Sequence, residues 1–255
     1  MALLLSEADV KQVLTMQLAL AAVEDSFRRL ADGSALLHSR QRLHIPGKSY
    51  LHYMAAADAV SGYMGLKVYT SSGAGLRFIV PLFHVDSGEL LALIEADYLG
   101  QIRTGAASGV ATKLLARADA AKIAIIGTGL QSRTQLEALS LVRSITEVRA
   151  FSRNPQHRET FAKEMTAQLG FPVVAVASAQ EAVRGADIVV TSTTSTNPVL
   201  DGSWLAPGMH INAIGANFPQ KHELDGEAIR LRHHRRRLPR AIQNRSRRPD
   251  SNVRR

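Results

Sequence analysis

Cysteine is absent from this 255-residue chain. That excludes disulfides, thiolate nucleophiles and zinc–thiolate sites, and it fits a reducing compartment. Aromatic residues are scarce at 5%, with a single Trp. No apolar run reaches the ~18 residues of a membrane span. The N-terminal stretch MALLLSEADV has too short an apolar core, and no basic region ahead of it, for a secretory signal. The chain is therefore expected in the cytoplasm, with no membrane partner. His and carboxylate clusters with metal-ligand spacing are also lacking, so no metal site is expected. His38, His44 and His52 read as surface or core histidines, His84 beside VDSG as part of a turn, and Trp204 as a packing anchor on a loop.

What is present is 45% hydrophobic residues, enough for a sizeable core in one large or two ordinary domains. The formal charge of +9 suggests a nucleic-acid partner until its distribution is considered. Ten Arg and one Asp, but no Lys, lie in residues 231–255, which leaves 21 basic and 21 acidic residues of the chain's 31 and 22 in residues 1–230. A protein built around phosphates spreads Lys and Arg over a folded face. Here the body is neutral, and nucleic acid is not the expected partner despite the basic tail.

Along the chain, Ser6 and Thr15 read as caps of two successive helices, the second ended by Gly33. RQRLHIP, SYLHYMAAA, GYMGLKVYT and RFIVPLFHV are strand-like runs, and DSG before ELLALIEA makes a hairpin turn. Residues 97–117 return to helical spacing with small residues suited to close packing. After Ala121, strands alternate with helices: KIAIIG, helix 130–143, EVRAFSR, helix 155–169, PVVAV, helix 178–184, DIVVTST and HINAIG. The expected fold is α/β: a Rossmann-type doubly wound parallel sheet in residues 118–230, preceded by an α+β domain in residues 1–117.

IAIIGTGLQSR places Gly127 and Gly129 after a buried strand and at a helix start. Gly127 permits the tight turn, Gly129 admits a pyrophosphate close to the backbone, and the helix N-terminus supplies free N–H groups. Ser132 stands where the fingerprint has its third glycine. At the end of the next strand, Ser152, Arg153 and Asn154 replace the carboxylate that would hold the ribose 2′-hydroxyl of NAD. Arg153 can pair a 2′-phosphate, so NADP(H) is favoured, with NAD(H) possible.

GLKVYT, IEADYLGQIRTGAASGVATK, IIGTGLQSRTQ, DIVVTSTTSTNPVL and HINAIGANFPQKHELD together resemble the ornithine cyclodeaminase/mu-crystallin family, over residues 1 to about 230. The resemblance implies a homodimer paired through the first domain, NAD(P) on the second, and Lys67 and Arg103 around an imino or amino acid substrate with Arg42 as a third cation. It also implies Thr104, Gln131, Ser152, Arg153 and Thr193 as cofactor contacts. Cations suit this task, since a bidentate Arg fixes a carboxylate and orients the α-carbon.

Asn217 departs from the pattern. Ornithine cyclodeaminases carry a proton-accepting Asp in the matching segment, and a neutral amide cannot be a general base. The expected activity is therefore NADPH-dependent reduction of a cyclic ketimine carboxylate, of the pyrroline- or piperideine-2-carboxylate type, with Lys67, Arg103 and Asn217 at the reacting centre. Ornithine cyclodeamination with NAD, and NADPH and ligand binding without turnover, stay open as alternatives.

The likeness stops where the Arg-rich tail begins. The fold calls for a strand and helices after ELDGEAIR, and a one-base shift of a GC-rich coding sequence can yield ACATIVVDCLEQSKIEAGDLI there. Residues 231–255 are read as an out-of-frame or disordered tail. On that reading the chain as written is expected to be unstable or inactive, and its frame-restored form an enzyme.

Overall fold

The computed structural model describes residues 1–73, 75–218 and 220–230, and the reading of residues 231–255 falls outside them. Contacts divide the described chain into two units. The first holds Met1–Leu14 and Glu24–Gly100, and the second Thr15–Val23 and the chain from Gln101 onward. The dividing point lies within α3 (Asp97–Leu115), whereas the expected boundary at 117/118 lies just beyond the end of that helix.

In the first unit β1 (Leu3–Leu5) leads to α1 (Glu7–Val13). Ser6 and Asp9 form a reciprocal capping box, in which Asp9 N–H donates to Ser6 Oγ at 3.3 Å and Ser6 N–H donates to the Asp9 carboxylate at 2.9 Å. Glu7 caps a second helix from a distance, because its carboxylate accepts from the amides of Asp97 and Tyr98 at the start of α3, at 2.5 and 3.0 Å. Helix α2 (Met16–Asp32) begins after Thr15, whose hydroxyl accepts from Leu18 N–H, and ends at Gly33, which adopts φ +86°.

Six further strands complete a seven-stranded sheet: β2 (Ala35–Leu37), β3 (Gln41–Ile45), β4 (Ser49–Asp58), β5 (Tyr63–Ser72), β6 (Gly75–His84) and β7 (Leu90–Glu95). Their order is β1-β7-β6-β5-β4-β2, with β3 also paired to β4. All pairings are antiparallel except β1 with β7, which the apolar run at the N-terminus did not signal. The DSG turn joins β6 to β7 as expected, with Gly88 at φ +68° and Ser87 N–H donating to His84 Nδ1 at 3.3 Å.

The second unit alternates as its sequence pattern requires: β8 (Lys122–Ile126), α4 (Leu130–Val142), β9 (Glu147–Phe151), α5 (Pro155–Leu169), β10 (Val173–Ala175), α6 (Ala179–Val183), β11 (Ile188–Thr191), β12 (His210–Ala213) and α7 (Gly226–Arg230). The sheet is wholly parallel, in the order β10-β9-β8-β11-β12. Both faces are buried. Ile123 and Ile125 of β8 pack with Leu136, Leu139, Phe161 and Met165 on one side, and Ala124 and Ile126 pack with Ala182, Val183 and Leu200 on the other. This two-sided burial explains why the strands read as continuous apolar runs. Trp204 packs against the second cluster, as an anchor should.

Helix α3 uses its small residues for close approach. A Cβ at Gly105 would collide with the Thr134 backbone of α4, and one at Gly109 would meet Leu20 at 2.6 Å and Ala138 at 3.1 Å. Thr134 Oγ1 donates to Gln101 O at 3.2 Å and Gln135 Nε2 to Thr104 O at 3.1 Å, so Thr104 sits on a helix locked to α4.

Candidate cofactor and substrate sites

The glycine turn has the geometry that a dinucleotide requires. Gly127 follows β8 with φ +101°, and a Cβ there would strike the Ser192 carbonyl and lie 3.0 Å from Thr193 Cγ2, so only glycine fits. Gly129 is the N-cap of α4 without any side-chain cap, and a Cβ built on it meets nothing within 4 Å. The first turn of α4 therefore presents its backbone N–H groups to open space. Ser132 explains its departure from glycine: it is fully buried, and its hydroxyl donates to Gly127 O at 2.6 Å, closing the turn with a hydrogen bond.

The other expected cofactor residues border this turn. Thr128 Oγ1 donates to Ser152 Oγ at 3.0 Å, which ties the glycine turn to the end of β9. Arg153 beside it is exposed, and Asn154 caps α5 by accepting from His157 N–H at 3.4 Å. Arg158 Nη1 donates to Ser152 O at 3.0 Å, which sets a second guanidinium near the same strand end. Gln131 Oε1 is buried and has no hydrogen-bond partner among the described residues, so it is a polar atom suited to a ligand donor. These features fit a nicotinamide dinucleotide, with Gly127, Gly129 and the start of α4 for the pyrophosphate and Ser152, Arg153 and Asn154 for the adenosine ribose.

One residue in this region carried no assigned role in the sequence. Glu223 is 1% exposed, and its carboxylate accepts from Thr193 N–H at 2.6 Å, Gly215 N–H at 2.6 Å and Thr191 Oγ1 at 2.9 Å. Its backbone carbonyl accepts from Val199 and Leu200 as well. One buried carboxylate thus fixes the carboxyl ends of β11 and β12 together. The expected cofactor residue Thr193 is held directly. Asn217 is held through the loop that begins at Gly215, where Asn217 N–H donates to Gly215 O at 2.9 Å. HELD carries no signal of this role, because the donors that surround Glu223 lie 8 to 32 residues away in sequence.

In the first unit, register assembles a row that sequence spacing does not show. Arg42 lies opposite His52, His52 opposite Tyr69, and Tyr69 opposite Phe78, so all four share one sheet face. The rings form a continuous stack. His44 to Tyr50 is 4.1 Å between centroids, Tyr50 to His52 5.6 Å, His52 to Tyr69 4.4 Å and Tyr69 to Phe78 4.6 Å. Lys67 lies on the same face, with Nζ 5.1 Å from the Tyr69 ring and 4.8 Å from Phe78. It is a half-buried ammonium over two rings, not a strand lysine turned to bulk water.

Arg40, to which the sequence gave no role, joins this group with Cζ 5.8 Å from the Tyr69 centroid. His52 is 1% exposed and its Nε2 pairs with Ser71 Oγ at 3.2 Å. Burial lowers its pKa below the ordinary value of 6.5, and the charges of Arg42, Arg40 and Lys67 add to the effect. The face therefore combines a stacked imidazole of lowered pKa with three cationic side chains. Arg42 and Lys67 belong to this cluster in the first unit. Arg103, exposed on α3, belongs to the second unit with Thr104, Thr193 and Asn217.

A parallel sheet with a glycine turn at the carboxyl end of its central strand defines a dinucleotide-binding α/β protein. The chain belongs to the ornithine cyclodeaminase/mu-crystallin family, which it matches over residues 1–235. It is 37% identical over 242 residues to an alanine dehydrogenase of Archaeoglobus fulgidus, covering 89% of this chain and 71% of that protein. The fold matches Δ1-pyrroline-2-carboxylate reductase of Thermococcus litoralis in complex with NADH and L-proline, with TM-score 0.85, 35% identity, and coverage of 89% of this chain and 73% of that one. It equally matches an archaeal alanine dehydrogenase dimer with bound NAD, with TM-score 0.85, 35% identity, and coverage of 90% and 72%. The family is one of nicotinamide-dependent oxidoreductases and cyclodeaminases. Among the described residues, no helix is long and apolar enough to cross a membrane.

Proposed function

We propose that the chain is an NADPH-dependent reductase of cyclic ketimine carboxylates, the pyrroline- or piperideine-2-carboxylate class. The observation that carries this reading is the cation-and-ring face around Lys67, which offers a carboxylate two charged partners and a planar imine ring a flat apolar surface. The relative that binds NADH and L-proline supports it, since proline is the reduced form of such an imine. Reduced nicotinamide, when bound, supplies the hydride to the C=N carbon. In the first unit Arg42 and Lys67 receive the carboxylate and Lys67 assists protonation of the ring nitrogen; for Arg103 and Asn217 of the second unit, the family resemblance supplies the roles of a further cation for the substrate and a hydrogen bond to substrate or cofactor. Asn217 cannot take a proton as a general base, which disfavours cyclodeamination.

Preference for NADPH over NADH rests on Arg153 at the end of β9, where no carboxylate stands to hold a free 2′-hydroxyl. A homodimer accords with the exposed apolar face opposite the ring stack, where register aligns Leu43, Ile45, Leu51, Tyr53 and Ile79. Cytoplasmic location accords with the absence of cysteine.

The deciding experiment follows oxidation of NADPH with each cyclic imine, and ammonia release from ornithine with NAD. It uses the 255-residue chain and a version in which residues 231–255 are replaced by the shifted-frame sequence. Imine-dependent oxidation without ammonia release is expected. Ammonia from ornithine would establish the cyclodeaminase instead, and NADPH binding with no turnover in either chain would leave a binding protein.

A further inference from the structure

We propose that Arg158 is a second specificity residue for the cofactor, which joins Arg153 in receiving the 2′-phosphate of NADPH at the carboxyl end of β9. The inference deepens the cofactor reading above and rests on it. Arg158 stands one turn into α5, and its guanidinium is fixed from two sides. Nη1 donates to Ser152 O at 3.0 Å, and Cζ lies 5.8 Å from the centroid of the Phe151 ring. Both anchors belong to the end of β9, so the half-buried side chain reaches back from the helix to the strand end assigned to the adenosine ribose. An arginine held in this way presents its remaining N–H donors in a preset fork and loses little further freedom on binding.

The charge and the hydrogen-bonding groups at this strand end both select a phosphate over a hydroxyl. Among the described residues no carboxylate pairs with Arg153 or Arg158. The first turn of α5, where free N–H groups favour an acid, holds none. Two guanidiniums and a helix start therefore meet without an anion among them. The nearby acceptors are already engaged. Ser152 Oγ accepts from Thr128 Oγ1 at 3.0 Å and donates to Asn154 O at 3.2 Å, Ser152 O accepts from Arg158, and Asn154 Oδ1 accepts from His157 N–H. What remains is a set of charged donors. A free 2′-hydroxyl needs an acceptor for its proton, whereas the oxygens of a 2′-phosphate accept from every one of these donors and offset both charges.

The test is fluorescence titration of the 255-residue chain and its variants with NADPH and with NADH. The unsubstituted chain is expected to prefer NADPH about a hundredfold, with each guanidinium contributing about tenfold. Arg158→Gln, which keeps an N–H donor for Ser152 O, should weaken NADPH about tenfold and NADH less than about twofold, and Arg158→Lys should recover part of the loss. Combined with Arg153→Gln it should abolish the preference. A purely structural role for Arg158 would weaken both cofactors alike. Lys163→Gln, exposed further along α5, removes the same charge away from the strand end and should leave the ratio intact. An unchanged NADPH-to-NADH ratio in Arg158→Gln, or an equal loss of both cofactors, overturns the proposal while the preference for NADPH stands. If the unsubstituted chain binds NADH as tightly as NADPH, or binds neither, the cofactor reading itself fails, and this proposal with it.

Discussion

The side chain of Glu223 accepts a hydrogen bond from the backbone N–H of Thr193 at 2.6 Å, joining two loops that lie 30 residues apart in sequence. The same carboxylate holds Gly215 at 2.6 Å. Glu223→Gln keeps the shape but turns an acceptor into a donor, so one of three donors must go unpaired. We expect a loss of about 1–3 kcal/mol in urea denaturation together with weaker nicotinamide-dinucleotide binding, since Thr193 is freed. Unchanged stability and unchanged affinity would show that the carboxylate merely fills space.

The two glycines of the turn should separate fold from binding. Gly127→Ala places a methyl group against the Ser192 carbonyl at positive φ and should cost about 1–3 kcal/mol of stability. Gly129→Ala meets no protein atom, so its stability cost should stay near 1 kcal/mol or below, while its methyl group occupies the room a pyrophosphate needs. Fluorescence titration with NADPH and NADH should then show at least about tenfold weaker binding. Full affinity in Gly129→Ala would remove the cofactor from this turn.

Cofactor preference depends on one exposed arginine. Arg153→Gln is expected to raise the dissociation constant for NADPH about tenfold and that for NADH less than about twofold. Equal effects on both would mark Arg153 as an ordinary surface charge.

His52 should make stability depend on pH in a defined direction. Its folded pKa lies below the unfolded value near 6.5, so between the two the unfolded chain binds more protons. Stability contributed by the neutral ring is complete above about pH 6.5, declines as pH falls through the folded pKa, and levels off below it. Arg42, Arg40 and Lys67 are the charged groups that act on the ring. The comparison is with His52→Phe, which keeps the stack and should flatten part of the slope. Identical pH profiles would contradict the assignment.

Much of the second unit was legible because its cues are local. The helix of residues 155–169 follows from the alternation of strand-like and helical runs, with Asn154 as its cap emerging only in the structure, and β8 follows from an apolar run ending at a glycine that must turn. Even there, Ser132 read as a blemish in the glycine pattern until its hydroxyl was found on the Gly127 carbonyl. In the first unit the strands were visible but their pairing was not. Nothing in the spacing from Arg40 to Phe78 says that β3 folds back on β4 in the register that sets Arg42 opposite His52. His52 was read as an ordinary histidine because its neighbours, Tyr69 and Phe78, come from other strands. Glu223 was missed as a positioning residue for the same reason, since its donors lie 8 to 32 residues away, at the end of β11 and on the loops after β11 and β12.

By itself the sequence determined the alternation of strands and helices, the glycine turn after β8, the caps at Ser6 and Thr15, and a neutral body within a basic chain. These depend on backbone propensity, hydrophobic period and charge, which act over a few residues. Tertiary structure alone decided which cations share a ring, which imidazole is kept neutral, and which carboxylate fixes the ends of β11 and β12. Those outcomes depend on strand register and burial, where a shift of one residue turns a side chain to the opposite face and the loss of water turns an ordinary ionisable group into a site.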